Sequence, residues 1–291
     1  MTGKAEAIAH GAATIVNAIV LGKGAAFGVD LWTKAEVRLT EEPNVIKGEI
    51  TLDPTESTAL IEKTVSRVFK HFSVDKRFGA KVKTWSNIPV ARGLKSSSVA
   101  ANAVALAAVA ALGKTLDDLT VVNLGVDAAF GAKVTVTGAF DDACASYFGG
   151  AVVTDNLKRK LLKRVTLPDD VAVLFHVPST KAYTVDSDVN KLRTVKPLVE
   201  IAYKEALKEN FWTALTLNGV IYSSALDYGA SVALDALAAG ALAAGLCGKG
   251  PAVTAVVSSN NIDSVMTALQ RHEGEVLQAH LNHEKAKVLS K

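Results

Sequence analysis

Cysteine is nearly absent from this chain: Cys144 and Cys247 are the two in 291 residues. A disulfide framework needs more, so the sequence reads as one made for a reducing, cytoplasmic compartment. Aromatic residues are sparse at 6%, and no long apolar run makes up for them. The longest, Val99 to Leu112, is interrupted by Asn102 and falls short of the ~20 apolar residues that a bilayer span requires. The N-terminus has no basic start followed by an apolar stretch and a cleavage site, so no signal peptide is expected. Long tracts of one charge are missing as well, and the net charge is only +3. That excludes a protein that coats nucleic acid. No repeat with a period of about 20–50 residues is present. What remains is a globular composition, 49% apolar and 21% charged, long enough for two domains.

The first part of the chain reads as strands at Ala13 to Val20, Gly28 to Trp32 and Ala35 to Leu39, with Gly22, Gly24 and Gly28 as punctuation. Helical spacing follows from Ser57 to Phe72, then a strand from Ala80 to Trp85. An Ala-rich helix from about Ser97 to Leu112 comes next, and another from Asp117 to Phe130 that Asp117 or Asp118 is placed to cap. After Pro168 the pattern restarts with a buried strand, Val171 to Val177, and a polar stretch, Pro178 to Asn190, that reads as a mobile loop. Three helices then cover Lys191 to Lys208, Phe211 to Leu226 and Ser231 to Ala239. The chain closes with a glycine loop at Leu246 to Pro251, a strand at Val253 to Val257, a helix at Ile262 to Gln270 and a last strand at Glu275 to Ala279. Strands followed by helices in each half predict an α+β fold, mixed or mainly antiparallel sheets with helices packed on them. The composition change near Pro168 places a boundary between domains 1–167 and 168–291.

The most informative segment is Asn87 to Asn102. Gly93 lets the backbone turn tightly and approach a ligand. Ser96, Ser97 and Ser98 offer hydroxyls and amides, and the Ala-rich helix starts at once behind them. The first amides of a helix lack intrahelical acceptors, and its dipole adds partial positive charge there, which together suit a phosphate. Arg92 and Lys95 contribute charge. A serine N-cap on an ordinary core helix would read much the same. Neither a Walker loop nor a dinucleotide-binding fingerprint is present.

The string Pro89-Val-Ala-Arg-Gly-Leu-Lys-Ser-Ser-Ser98 resembles the phosphate-binding motif of the GHMP kinases, P-x-x-x-G-L-x-S-S. Two further segments are similar to family features in the expected order. Gly138 to Gly150 (G-A-F-D-D-A-C-A-S-Y-F-G-G) is like the stretch that carries a catalytic Asp, and Gly245 to Ala252 is like the C-terminal glycine loop. Over Gly3 to about Gln270 the chain resembles the archaeal type of shikimate kinase, a GHMP kinase. The resemblance implies a two-domain GHMP fold that uses ATP and Mg²⁺ to phosphorylate shikimate to 3-phosphoshikimate. A GHMP kinase for homoserine, mevalonate or a sugar is the alternative, and a catalytically silent binding protein the third reading. No membrane or nucleic-acid partner is implied, and a homodimer is left open. Three departures stand out: the usual Gly-Glu-His start is missing, Lys95 replaces a common glycine, and no clear glutamate precedes Gly138 to bind Mg²⁺.

On this resemblance Pro89, Arg92, Gly93, Leu94, Lys95, Ser96, Ser97 and Ser98 hold the triphosphate, with Gly248 and Gly250 opposite. Ser97 is the favoured Mg²⁺ ligand, and Asp127 a weak carboxylate partner. Asp141 is favoured as the base and Asp142 stays the alternative; adjacent helical residues point about 100° apart, so one faces the acceptor. For the acceptor, Asn17 and Asp30 are indicated by family position. The acceptor's carboxylate calls for a cation, with Lys23, Arg164, Lys191 and Arg193 as candidates. His280 and His283 share a spacing but lack a third metal ligand. Trp32, Trp85 and Trp212 are read as packing residues before adenine contacts.

Overall fold

A computed structural model describes residues 3–51, 53–90, 92–135, 137–179 and 192–291. It is built on two sheets. In the first, β1 (Lys4–Val16) and β2 (Lys23–Thr40) form a long antiparallel hairpin, with Lys4 opposite Arg38 and Val16 opposite Ala25. β1 alternates between buried and partly exposed residues until His10, and is buried throughout from Gly11 onward. Its first half therefore has one wet face, and its second half is covered on both.

The far half of β2 pairs with β4 (Gly79–Ser86), and β4 pairs in parallel with β3 (Ile46–Ile50). The near half, Lys23 to Phe27, pairs instead with β5 (Ala151–Asp155), which pairs with β6 (Lys160–Val165). The second sheet runs β10-β7-β9-β8 and is antiparallel throughout: β7 (Val171–Val177), β8 (Ala243–Leu246), β9 (Val253–Ser258) and β10 (Glu275–His280). The tail then returns to the first sheet as β11 (Lys287–Ser290), beside β1.

Helices α1 (Ala59–His71), α2 (Ser96–Ala111), α3 (Asp118–Gly131) and α4 (Phe140–Phe148) pack together, with α2 across β1 and β2. Eleven of the sixteen residues of α2 are buried, so it is a central helix and its N-terminus opens into the interior. Alanine suits that position because small side chains let backbones approach. Asp117 caps α3, its side chain accepting from the Thr120 amide. On the second sheet lie α6 (Phe211–Ala225), α7 (Ser231–Ala238) and α8 (Ile262–Leu269), α6 bridging β8 and β1, while α5 (Lys196–Leu207) packs on α6 and against β1 and β2 of the first sheet. No described helix is long and apolar enough to cross a membrane.

Three expectations need correction. The strand pieces expected between 13 and 39 are parts of two continuous strands. Of their glycines only Gly22 lies in a turn, while Gly24 and Gly28 sit inside β2, where a Cβ would meet Asp141 and Gly149. The strand at β10 is not the last, because β11 follows. β3, β8 and β11 carried too little signal, being short and, for β3 and β11, largely exposed. The polar stretch from 180 to 191, including Lys191, lies outside the described residues.

Candidate active site

The loop before α2 and the turn after β8 meet backbone to backbone. Gly93 has φ +86°, and a Cβ there would stand 2.8 Å from Gly250 O and 2.9 Å from Cys247 O. Glycine is required twice over, for the conformation and for the space. The opposing turn is closed by Gly250 N donating to Cys247 O (2.9 Å) and Cys247 N to Ala252 O (2.8 Å). Asn17, at the end of β1, ties it down: Nδ2 donates to Gly248 O (2.9 Å), while Oδ1 accepts from the Ile19 amide (2.9 Å).

Lys95 precedes α2 in the left-handed region, φ +63°. Glycine would adopt that conformation freely, which is the physical content of the family's preference there. No side chain caps α2, and no acidic residue stands in its first turn. This end of the helix opens on a cavity of about 790 Å³. Ser96, Ser97 and Ser98 line it, together with Gly93, Gly248 and Gly250. α1 and the end of α3 supply apolar lining through Leu60, Ile61, Ala129 and Val134.

Asp141 and Asp142 open α4 and line the same cavity, at 3% and 6% exposure. Their directions diverge as the helical pitch requires. Asp142 Oδ2 pairs with Lys95 Nζ at 3.1 Å, and Oδ1 is buried without a partner. Asp141 Oδ1 accepts from Asn156 Nδ2 (2.8 Å), and Oδ2 packs on Gly24. Burial, and then the neighbouring Asp142, push the Asp141 carboxyl up to about 7. Burial pulls Lys95 down most strongly, but Asp142, Cys247 and Asp141 together outweigh it and hold the ammonium above the ordinary lysine range.

The structure thus gathers Asn17, Gly93, Lys95, Ser96, Ser97, Ser98, Asp141, Asp142, Gly248 and Gly250 around one cavity. Other candidates lie elsewhere. Leu94 is buried in the core, and Pro89 and Arg92 are absent from the lining. The Arg92 guanidinium donates instead to Pro178 O. Lys23 is exposed at the start of β2, 6.0 Å from the Tyr203 ring centre. Asp30 accepts from the backbone and ring of His280 (2.9 and 3.0 Å). Arg193 is exposed and off the cavity, and Asp127 is held by Arg159 at 2.6 Å. Arg164 braces the Phe148 and Gly149 carbonyls, His283 meets Asp169, and none of the three tryptophans lines the cavity.

Asn156 and the cavity-lining Thr14, whose buried hydroxyl has no partner, were not anticipated. Asn156 lies outside every motif and reaches the site only through the pairing of β5 with β2. Among the described residues no group of three His, Cys, Asp or Glu side chains is arranged for a metal. The chemistry of the lining fits a polyphosphate: an uncapped helix end, glycine backbone, three hydroxyls and a lysine. For a divalent cation carried with it, the Ser96, Ser97 and Ser98 hydroxyls are the side-chain oxygens that α2 offers.

Residues 59–150 match the GHMP kinases N terminal domain. The protein named shikimate kinase from Methanosarcina mazei is 45% identical over 97% of this chain and 96% of its own length. In fold, the chain is similar to a homoserine kinase from Cytophaga hutchinsonii, with a TM-score of 0.74 at 17% identity over 99% of this chain and 98% of that one. It is similar also to the MDDEF complex with MVAPP, AMPPCP and magnesium, with a TM-score of 0.75 at 17% identity and full coverage of both.

Proposed function

The chain belongs to the GHMP kinases and, within them, to the archaeal shikimate kinase family; on that footing we propose that this cavity moves the γ-phosphoryl group of ATP to a hydroxyl of shikimate, giving 3-phosphoshikimate and ADP. One observation carries the reading: two glycine loops and a Lys95–Asp142–Asp141 charge cluster, drawn from residues 1–167 and 168–291, converge on a single cavity.

Phosphoryl transfer asks the protein for positioning and for neutralised charge. The Ser96 and Ser97 amides and the hydroxyls of Ser96 to Ser98 bind the phosphates at the α2 N-terminus, the Ser98 amide being taken by Lys95 O (3.0 Å), and Gly93, Gly248 and Gly250 keep the backbone close to them. Lys95 offers an ammonium between Asp142 and the glycine turn, next to where the migrating group's charge must be balanced. Mg²⁺ travelling with the nucleotide supplies charge neutralisation, and Ser97 is the side chain that would hold it. Asp141 accepts the proton of the attacking hydroxyl as its oxygen bonds to the γ-phosphorus and the bond to the β-phosphate oxygen breaks. Asn17 sets the glycine turn in place and is a positioning residue in this scheme. The cavity's remaining lysines, Lys133 and Lys249, are the lining cations for anionic substrate groups. Both cysteines are free and buried, in keeping with a cytoplasmic enzyme.

A coupled ADP-release assay with shikimate, homoserine, mevalonate and galactose tests the reading. Turnover is expected with shikimate alone. Turnover with another acceptor and none with shikimate would overturn the substrate assignment, and binding of ATP without turnover on any acceptor would favour a silent binder.

A further inference from the structure

Asp141 is held from outside its own helix. Its Oδ1 receives a hydrogen bond from Nδ2 of Asn156 (2.8 Å), in the turn after β5. Asn156 is 5% exposed and is itself fixed at two further points. Its amide donates to Gly22 O (2.9 Å), and its Oδ1 accepts from Thr154 Oγ1 (2.6 Å). The second contact decides which end of the side chain faces Asp141. With the carbonyl oxygen taken by a hydroxyl hydrogen, the NH₂ end, which only donates, is left for the carboxylate. Thr154 is fully buried, and its carbonyl accepts from Tyr203 on α5 (3.2 Å). On the other side, Asp141 Oδ2 lies against Gly24, where any Cβ would collide with it. The carboxyl is therefore clamped between β2 and the turn that follows β5.

We infer that Asn156 is a positioning residue for phosphoryl transfer: its Nδ2 holds the Asp141 carboxylate in one orientation and as an anion ready to take the acceptor's proton. The inference rests on Asp141 being the group that meets the acceptor hydroxyl. The titratable groups around Asp141 are Asp142 and Cys144 on its own helix, Lys95 before α2, and Tyr222 on α6. Lys95 is the one cation in that set, and it is engaged by Asp142. Asn156 is thus the neutral side-chain donor bonded directly to the carboxylate, and the Asp142 amide adds a lesser backbone contact. Burial and Asp142 raise the Asp141 pKa, and the Asn156 hydrogen bond opposes them, ahead of Lys95.

The test is the pH dependence of kcat and KM in Asn156→Ala and Asn156→Asp, with ATP binding and thermal unfolding measured alongside. Asn156→Ala is expected to lower kcat about tenfold at neutral pH and to move the acid limb of kcat alkaline by about one pH unit. KM for ATP stays within about twofold, since uniform binding is untouched. Asn156→Asp keeps the shape but replaces the donor with a second carboxylate, so its limb moves further. Should either variant misfold, Thr154→Val removes the bond that orients the amide and is expected to give a smaller shift in the same direction. A folded, ATP-binding variant that loses activity with the acid limb unmoved would mark Asn156 as merely structural and sink the inference. Full turnover in Asp141→Asn would instead overturn the assignment of the base on which it rests.

Discussion

Two helices begin at this cavity, α2 at Ser96 and α4 at Phe140, and their backbones start alike. Each is preceded by a non-glycine residue in the left-handed region, Lys95 at φ +63° and Ala139 at φ +49°, and neither has a side-chain cap. Their first turns differ in every chemical respect. α2 carries three serines and no acid, so its positive end is left for a ligand's negative charge. α4 carries Asp141 and Asp142, so its positive end meets two carboxylates of its own. The same dipole faces open cavity in one case and a pair of buried carboxylates in the other. It does not dominate in the second: a helix N-terminus favours an acid by ~0.3–2 kcal/mol, whereas full burial can shift a pKa by up to ~3–5 units. Burial wins at Asp141, whose pKa is raised.

The largest expected effect is at α4. Asp141→Asn should cut kcat by about 10²–10⁴-fold while leaving ATP binding at α2 intact, measured by steady-state kinetics and calorimetry. A greater loss in Asp142→Asn would transfer the role of base to Asp142. The same variant should change the pH dependence of stability. Because the folded-state pKa of Asp141 is raised to about 7, its protonation supports the fold fully below the unfolded value near 4. That support is lost as pH rises through about 7. Thermal scans should show the wild type losing ground against Asp141→Asn over this window.

Next comes the residue that joins the two helix starts. Lys95→Met leaves Asp142 buried beside no cation, and breaking such a pair costs about 3–5 kcal/mol, read from urea unfolding. Adding Asp142→Asn should restore most of that loss, since the orphaned charge is removed with it. Little recovery in the double variant would show that the two helix starts are not coupled through this pair. The smallest effect belongs to α2's own loop. Gly93→Ala forces a Cβ against Gly250 O and Cys247 O at positive φ. It should lower stability by about 1–3 kcal/mol and raise KM for ATP more than it lowers kcat.

The α2 end of the site was legible because its chemistry is local. Gly93, Lys95 and three serines lie within six consecutive residues that also start an apolar helix. The α4 end was half legible. Asp141 and Asp142 could be recognised as a pair, but which faced Lys95 depended on how two distant segments pack. Asn156 was not legible at all, because its contact with Asp141 follows from β5 pairing with β2 at Lys23 to Phe27. Asp30, Arg193 and Asp127 are the reverse case, lying off the cavity. Each has the right side chain for a ligand, but the fold points them at His280, at solvent and at Arg159.

By itself, then, the sequence determined a globular composition, an α+β arrangement and a glycine–serine loop at a helix start. Those follow from residue type and short-range spacing, through glycine's backbone freedom and the unpaired amides of a helix end. Tertiary structure alone decided which carboxylate is paired with Lys95 and which is clamped by Asn156. It also decided that Gly24 must be small for Asp141 to fit. Burial, opposing charges and excluded volume act between segments far apart in the chain, and no local pattern encodes them.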